Sequence, residues 1–334
     1  MHAVQHEMRL AEPKRQAWLK DLAGCEYPRE ADPAQWAAFE ALSRDLANQH
    51  MPAEALDAVA SLSETRGILV FENLPLDVPV MTPPTNNFRP AGKPAVSEAV
   101  HLGIIRQLAK VFGFQEEEEG ALFHQIAPKA GRENTQSNGG VVTFHPHSDD
   151  AFLFSQHRPE FLSMFGLMNL HSAPTWVFPV EGILEHLAPA VIDVLQEPIF
   201  RHAPPESFRI GAELVSLQPV LERNKNEQHG HGWEVSFNTA RSSGANEVAK
   251  TALTALRKAL DVAPHANVMV GPGTLSIFSN LRHLHGRGAI SGPRWLQRLY
   301  SRRDLSALRA DTGVAAPGLV FPAAKLVTGY SNPV

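Results

Sequence analysis

From Ala121 to about Phe178 the chain runs as short apolar stretches interrupted by Gly, Pro, Ser and Asn, and this texture restricts the fold more than any other feature. Runs of that length, bounded by turn formers, suit the strands of a sandwich or barrel. The pattern resumes at Val268 and continues through Leu275-Ser276-Ile277-Phe278 to Trp295-Leu296. The 26 prolines among 334 residues agree with it, since proline breaks long helices and favours loops.

Helical signals lie at the start and as insertions. Asp32-Pro33, followed by Trp36, Phe39, Leu42 and Leu46, predicts a helix over 32–48: an acidic N-cap, proline in the first turn, and apolar spacings of three and four. A second helix is expected from about Ala53 to Thr65, stopping at Gly67, and Ile68-Leu69-Val70-Phe71 then reads as a strand closed by Pro75. Residues 75–96, rich in proline and asparagine, read as a long loop. Ser97 is expected to cap a helix carrying Val100, Ile104, Ile105 and Leu108 and ended by Gly113. Glu116 to Glu119 are expected to be a solvated charge cluster just past it. Two inserted helices are expected around Ile183 to Leu195 and from about Asn246 to Leu260, the latter with Val248, Leu253, Leu256 and Leu260 as its apolar positions. No internal repeat or low-complexity linker divides the chain. The expected organisation is a single structural domain, with residues 1–66 as a helical lead-in packed on a mainly β domain, 67–334, that carries helical insertions.

An apolar content of 43% is ample for a packed core. The formal net charge of -5, with Lys and Arg scattered, supplies no basic field and argues against nucleic acid as a partner. The one cysteine, Cys25, cannot form an internal disulfide, which fits a reducing cytoplasm. The opening residues MHAVQHEMRLAEPKRQ hold no apolar run of the signal-peptide kind, and no apolar stretch reaches the roughly 20 residues of a membrane helix. A cytoplasmic protein without a membrane partner is expected; the oligomeric state is not readable.

The chemistry-bearing residues sit at strand ends. Val141-Val142 leads into Thr143-Phe144-His145-Pro146-His147-Ser148-Asp149-Asp150. On an extended chain residues i and i+2 share a side, so His147 with Asp149, or His145 with His147, could meet one ion. Such a tripeptide needs a distant partner, and His283 and His285 follow the apolar run 274–278 directly. Both could equally be strand-end histidines satisfied by hydrogen bonds. Beyond them, alternation in Arg294-Trp295-Leu296-Gln297-Arg298-Leu299-Tyr300 places Arg294, Leu296, Arg298 and Tyr300 on one face. Arginines on the inner face of a β core need anions, either from the protein or from ligands. Two imidazoles and a carboxylate form a facial iron site with open positions, and a nearby guanidinium can clamp a dicarboxylate.

PHSDDAF, the later LHGR and the RWLQR after it resemble the clavaminate synthase-like group of iron(II) and 2-oxoglutarate dependent oxygenases, related to taurine dioxygenase and including free amino acid hydroxylases. The similarity runs from about Gly67 to Arg303 and takes in IAPKAG before the motif and PVLERN after it. The resemblance implies a double-stranded β-helix (jelly-roll) core, and Fe(II), 2-oxoglutarate and O2 as reactants. It implies His147, Asp149 and His285 as catalytic metal ligands, with Arg294 and Thr175 on the 2-oxoglutarate carboxylate. Arg298 would take an acidic group of the substrate, and Ser137 and Asn138 would touch its amino acid backbone, although both also read as a polar turn before Gly139-Gly140. The implied reaction converts 2-oxoglutarate to succinate and carbon dioxide while oxidising an unactivated C–H bond. The substrate implied is a free amino acid or a small amino-acid-derived intermediate of natural product biosynthesis. Related halogenases replace the carboxylate ligand so that chloride can bind. Asp149 is kept here, so hydroxylation, or a desaturation or cyclisation from the same radical, is expected.

The chain departs from the family at several points. Ser279-Asn280 stands where an aspartate commonly precedes the asparagine, and the loop from His285 to Arg294 is short, which leaves the order of the two arginine roles open. Ser236-Phe237-Asn238-Thr239 carries no acid to grip a guanidine substrate. Two rivals remain. His145-x-His147-x-Asp149-Asp150 approaches the HxHxDH motif of metallo-β-lactamase-type zinc hydrolases, but without the final histidine. A cupin-like metal protein could draw on His229-Gly230-His231, which otherwise reads as a polar loop over the site.

Overall fold

The alternation of apolar residues along the strands sorts them onto two faces, and that division builds the architecture. The computed structural model describes residues 5–65, 67–77, 82–86, 88–171, 173–210, 217–224 and 232–328. The protein is mainly β with helical decoration. The large sheet runs in the order Gln5–Arg9, Ile68–Glu72, Leu275–Ser279, Phe161–Asn169, Arg294–Arg302, Lys110–Phe114, Val320–Phe321, and Phe123–Ile126 pairs with another part of Arg294–Arg302. The smaller sheet orders Ala266–Val268, Thr175–Pro179, His283–Arg287 and Phe144–His147.

Leu69, Phe71, Phe161, Phe165, Trp295 and Leu299 point from the large sheet into a core shared with the N-terminal helices, where Trp18, Trp36, Phe39 and Ile104 meet them. Their alternate neighbours Ile68, Val70, Leu162, Met164, Leu296 and Tyr300 face the other way and share a second core with Val177, Ala266 and Val268 of the smaller sheet. Period-two patterning on both faces is what a sheet buried between a helical layer and another sheet requires. The Glu247–Leu260 helix, N-capped by the Asn246 side chain, covers the outside of the smaller sheet with Leu253 and Leu256, while Val248 faces solvent. Among the described residues no helix is long and apolar enough to cross a membrane.

Several expectations need correction. The helix at Val96–Ile105 begins after Ala95 with no side-chain cap; Ser97 is buried instead, where its hydroxyl accepts a hydrogen bond from Lys93 Nζ (2.7 Å). That helix stops well before Gly113, because Lys110–Phe114 alternates Val111 against Phe112 across the large sheet and pairs with Arg294–Arg302. Pairing on both edges outweighs a helical spacing. The insertion at 183–195 is two short helices, Val180–Leu184 and Pro189–Leu195, since Pro189 starts a new helix and cannot continue one. Residues 53–65 likewise divide into Ala53–Ala60 and a 3-10 turn, Leu62–Glu64. The lead-in is not helical alone, for Gln5–Arg9 pairs in parallel with Ile68–Glu72. Glu116 to Glu119 are not a solvated cluster: Glu117 is 1% exposed, and Glu116 accepts the Ala323 and Ala324 amides.

His101 lies wholly buried where the helical layer meets the large sheet, stacked on Phe165 and hydrogen-bonded through Nε2 to Ser163 Oγ (2.7 Å). Burial pushes its pKa down to about 3. The unfolded imidazole binds a proton near pH 6.5 that the folded one refuses, so stability is lost as pH falls from about 6.5 towards 3. His101→Phe should lessen the fall of the unfolding free energy on acidification, measured by urea titration, by up to about 1.4 kcal/mol per pH unit between pH 6 and 4. A slope equal to that of the parent would contradict this.

Candidate active site

The register of the smaller sheet sets His285 directly opposite His147, with ring centroids 4.3 Å apart. Asp149 follows the end of the Phe144–His147 strand, and its Oδ1 lies 3.4 Å from His147 Nε2 and 3.6 Å from His285 Nε2. One ligand atom from each of the three residues lies within 4.8 Å of the others, and all three side chains are buried. His147 Nδ1 donates to the His145 carbonyl at 2.9 Å, which fixes the ring with Nε2 towards Asp149. Burial, reinforced by the neighbouring His147, pushes the His285 pKa down to about 3, so its imidazole is neutral. Burial tends to raise the Asp149 pKa, but the Arg298 guanidinium and then the two imidazoles outweigh it and hold the carboxyl well below the usual range. Two imidazoles and an ionised carboxylate are the donor set that a divalent first-row metal takes in facial geometry.

The backbone around Asp149 is fixed from outside the strand. Asn280 Oδ1 accepts its amide (2.8 Å), and Asn280 Nδ2 donates to its carbonyl (3.1 Å). Ser148 N–H donates to the Phe237 carbonyl (2.8 Å). His145 points to solvent, and Phe144 rather than His145 stacks on His147, at 4.1 Å. Pro146 and the bulge between His285 and Arg287 break the simple alternation, so the His145-His147 ligand pair and the zinc hydrolase reading built on it are not assembled. His283 is buried nearby, with Nδ1 on the Ser279 carbonyl (2.9 Å). His229 and His231 lie outside the described residues.

Arg294 and Arg298 stand on the same face of the Arg294–Arg302 strand but in different environments. Arg298 Nη1 donates to Asp149 Oδ2 (2.8 Å), while Nη2 donates to Glu117 Oε1 (2.9 Å) and to His124 Nδ1. Burial and the Arg298 charge keep the His124 pKa well below its ordinary value, so the ring is neutral and accepts. Arg294 is 3% exposed and has no hydrogen-bond or ionic partner among the described residues. Desolvation, helped by the nearby Arg287 charge, lowers its pKa to about 9, which still leaves it charged at neutral pH. Thr175 is also buried with an unpartnered Oγ1, and it lines the same small cavity as Arg294, His147, His285 and Asn138.

A second cavity, of about 310 Å³, opens on the other side of His147 and Asp149. Ser137, Asn138, Glu117, Asp150, Arg298 and Tyr300 line it. Glu117 and Asp150 are groups that the sequence did not single out. Glu117 was hidden in a run of four acids, and only burial separates it from its neighbours. Asp150 adopts a positive φ of 56°, and its Oδ2 is buried without a partner. Burial, together with Glu117 and Asp149, raises its pKa well above the ordinary value.

No protein-family model matches the chain. It is 29% identical over 255 residues to the L-asparagine oxygenase of Streptomyces coelicolor, covering 73% of each chain. It is 26% identical over 268 residues to clavaminate synthase 2 of Streptomyces clavuligerus, covering 75% of this chain and 79% of that one. Its fold is similar, at a TM-score of 0.81 and 26% identity, to an asparagine oxygenase solved with Fe(II), 3-hydroxyasparagine and succinate, covering 95% of this chain and 99% of that one. Buried His, Asp and His donors with an unpaired guanidinium beside them thus accompany a similarity, over most of the chain, to oxygenases of the asparagine oxygenase and clavaminate synthase kind.

Proposed function

We propose that the protein hydroxylates an unactivated C–H bond of a free amino acid or of a small amino-acid-derived natural-product intermediate, using ferrous iron, 2-oxoglutarate and dioxygen. His147, Asp149 and His285 are the proposed iron ligands, held in a double-stranded β-helix (jelly-roll) formed by the two facing sheets. Iron bound there would chelate 2-oxoglutarate and activate dioxygen, so that succinate formation is coupled to oxidation of the substrate. The observation that carries this reading is Arg294: a buried guanidinium with no anion from the described residues, lining a cavity with the two histidines. An unpaired buried charge is costly, and a carboxylate ligand removes that cost. Arg294 donates to the distal carboxylate of 2-oxoglutarate, and the Thr175 hydroxyl supplies a further donor. The engagement of both Arg298 Nη groups supports giving the co-substrate role to Arg294 rather than Arg298.

On the other side of the metal ligands, Ser137, Asn138 and Arg298 are the proposed substrate contacts. Arg298 carries an unpartnered Nε and sits between Asp149 and Glu117, so a substrate carboxylate would share a guanidinium that also steadies the ligand Asp149. Glu117 and Asp150 add two buried carboxyl groups whose pKa values are raised, chiefly by burial, and which an ammonium group would favour in the ionised form; an amino acid presents both charges at once. Asn238 and the absence of acids at 236–239 give no clamp for a guanidine side chain.

The reading is tested by incubating the ferrous protein with 2-oxoglutarate, ascorbate and a panel of amino acids, and following succinate together with a mass gain of one oxygen atom. One or more amino acids should stimulate succinate formation. His285→Ala should abolish it, whereas His145→Ala should retain it. Loss in His145→Ala with turnover kept in His285→Ala would overturn the ligand assignment. Arg294→Met should raise the half-saturating 2-oxoglutarate concentration roughly 10- to 100-fold, from the loss of hydrogen bonds to a charged group. Parent-like saturation would remove that role from Arg294.

A further inference from the structure

The Arg287 guanidinium is 4% exposed and meets no carboxylate among the described residues, yet it is unlike Arg294. Its Nη1 donates to the carbonyls of Val142 (2.7 Å) and Gly288 (3.2 Å), and its Nη2 donates to those of Ser137 (3.4 Å) and Gly140. Both Nη groups are thus spent on backbone, three of the four acceptors belonging to the segment 137–142. That segment is tightly seated. A Cβ on Gly140 would lie 2.1 Å from the Thr135 carbonyl oxygen, and Gly139 packs on the Lys129 side chain. Asn138 lies between the held carbonyls and lines both the cavity with Arg294 and the larger cavity with Glu117 and Asp150. Its side-chain amide makes no hydrogen bond among the described residues. The amide therefore keeps its position only because the backbone on either side is fixed.

We propose that Arg287 is a positioning residue, which fastens the 137–142 segment by its carbonyls and so sets Asn138 at the boundary between the co-substrate and substrate cavities. The assignment of the two cavities rests on the function proposed above; the fastening does not. Arg287 acts through Asn138 and touches neither ligand with a spare Nη group. Only a planar, forked donor can serve carbonyls on both sides of the segment, and an ammonium on a flexible stem cannot.

The experiment compares the Arg287→Met, Arg287→Lys and Arg294→Met variants of the full chain. Amide hydrogen exchange is followed at Lys129, Gly140 and Val141, whose N–H groups bond within this turn. Affinity for 2-oxoglutarate is read from the visible charge-transfer band of the anaerobic ferrous complex. In Arg287→Met these amides should exchange at least about tenfold faster while exchange in the large sheet is unchanged. The 2-oxoglutarate dissociation constant should move by less than about threefold, and Arg287→Lys should not restore slow exchange. Arg294→Met should do the reverse, weakening 2-oxoglutarate binding and leaving these amides protected. For whichever amino acid the panel selects, Arg287→Met should raise its KM about tenfold or more with the effect falling on KM rather than kcat, and this increment should vanish in an Asn138→Ala background.

Unchanged exchange in Arg287→Met overturns the proposal, as does loss of 2-oxoglutarate binding equal to that of Arg294→Met, which would make Arg287 a co-substrate clamp. An additive effect in the Asn138→Ala background overturns action through Asn138. The exchange and co-substrate arms need no primary substrate, so failure of the amino acid reading leaves them standing.

Discussion

The register of one antiparallel pair, His147 against His285, is the constraint on which the site depends. Directly opposed residues in such a pair come within reach of one another, and a slip of a single residue would turn one imidazole to the far face. The register is held from several directions. His285 and Arg287 pair on their other edge with Val177 and Thr175, and Gly286 lies so close to the Phe144 carbonyl that a Cβ there would approach it to 2.6 Å. The same pairing therefore places the two imidazoles, Arg287 and Thr175 around one cavity.

Charge explains the next layer. Asp149, Glu117 and Asp150 lie buried around a single guanidinium, Arg298, so carboxylates outnumber cations at the floor of the larger cavity. Arg294 and Arg287 form the opposite excess in the smaller one, with no acid against either among the described residues. Buried charge left unpaired by the protein is costly to fold and has to be met by a ligand. On the proposed function the two cavities would take different guests, a dianion in the smaller and a group bearing a cation in the larger. His147 lines both cavities, with Asp149 in the larger and His285 in the smaller.

The strand assignments most visible in the sequence were those whose alternation reports burial on both faces, above all 68–72, 275–279 and 294–302. Each pairs in the large sheet and sends its odd and even residues into different cores. The helix 33–50 was equally legible because Asp32 caps it through its side chain. Lys110–Phe114 was hidden, since Val111 and Phe112 continue an apolar helical spacing and only the partner strands decide between the two states. The candidate ligands stood in short strand-end motifs, but His145 and His147 could not be separated from sequence, because the irregularity that turns His145 outward arises from pairing with a strand far along the chain. Glu117 and the contacts of Arg287 were invisible for a related reason. Nothing in four consecutive glutamates marks the one that folds inward, and backbone carbonyls leave no trace in side-chain identity.

X-ray absorption at the iron edge of the anaerobic ferrous protein with 2-oxoglutarate tests the central claim most directly. The account predicts one metal per chain, two imidazole nitrogens and one protein carboxylate in its first shell, and a chelating keto acid. A third imidazole, a second metal, or a shell that 2-oxoglutarate leaves unchanged would contradict it.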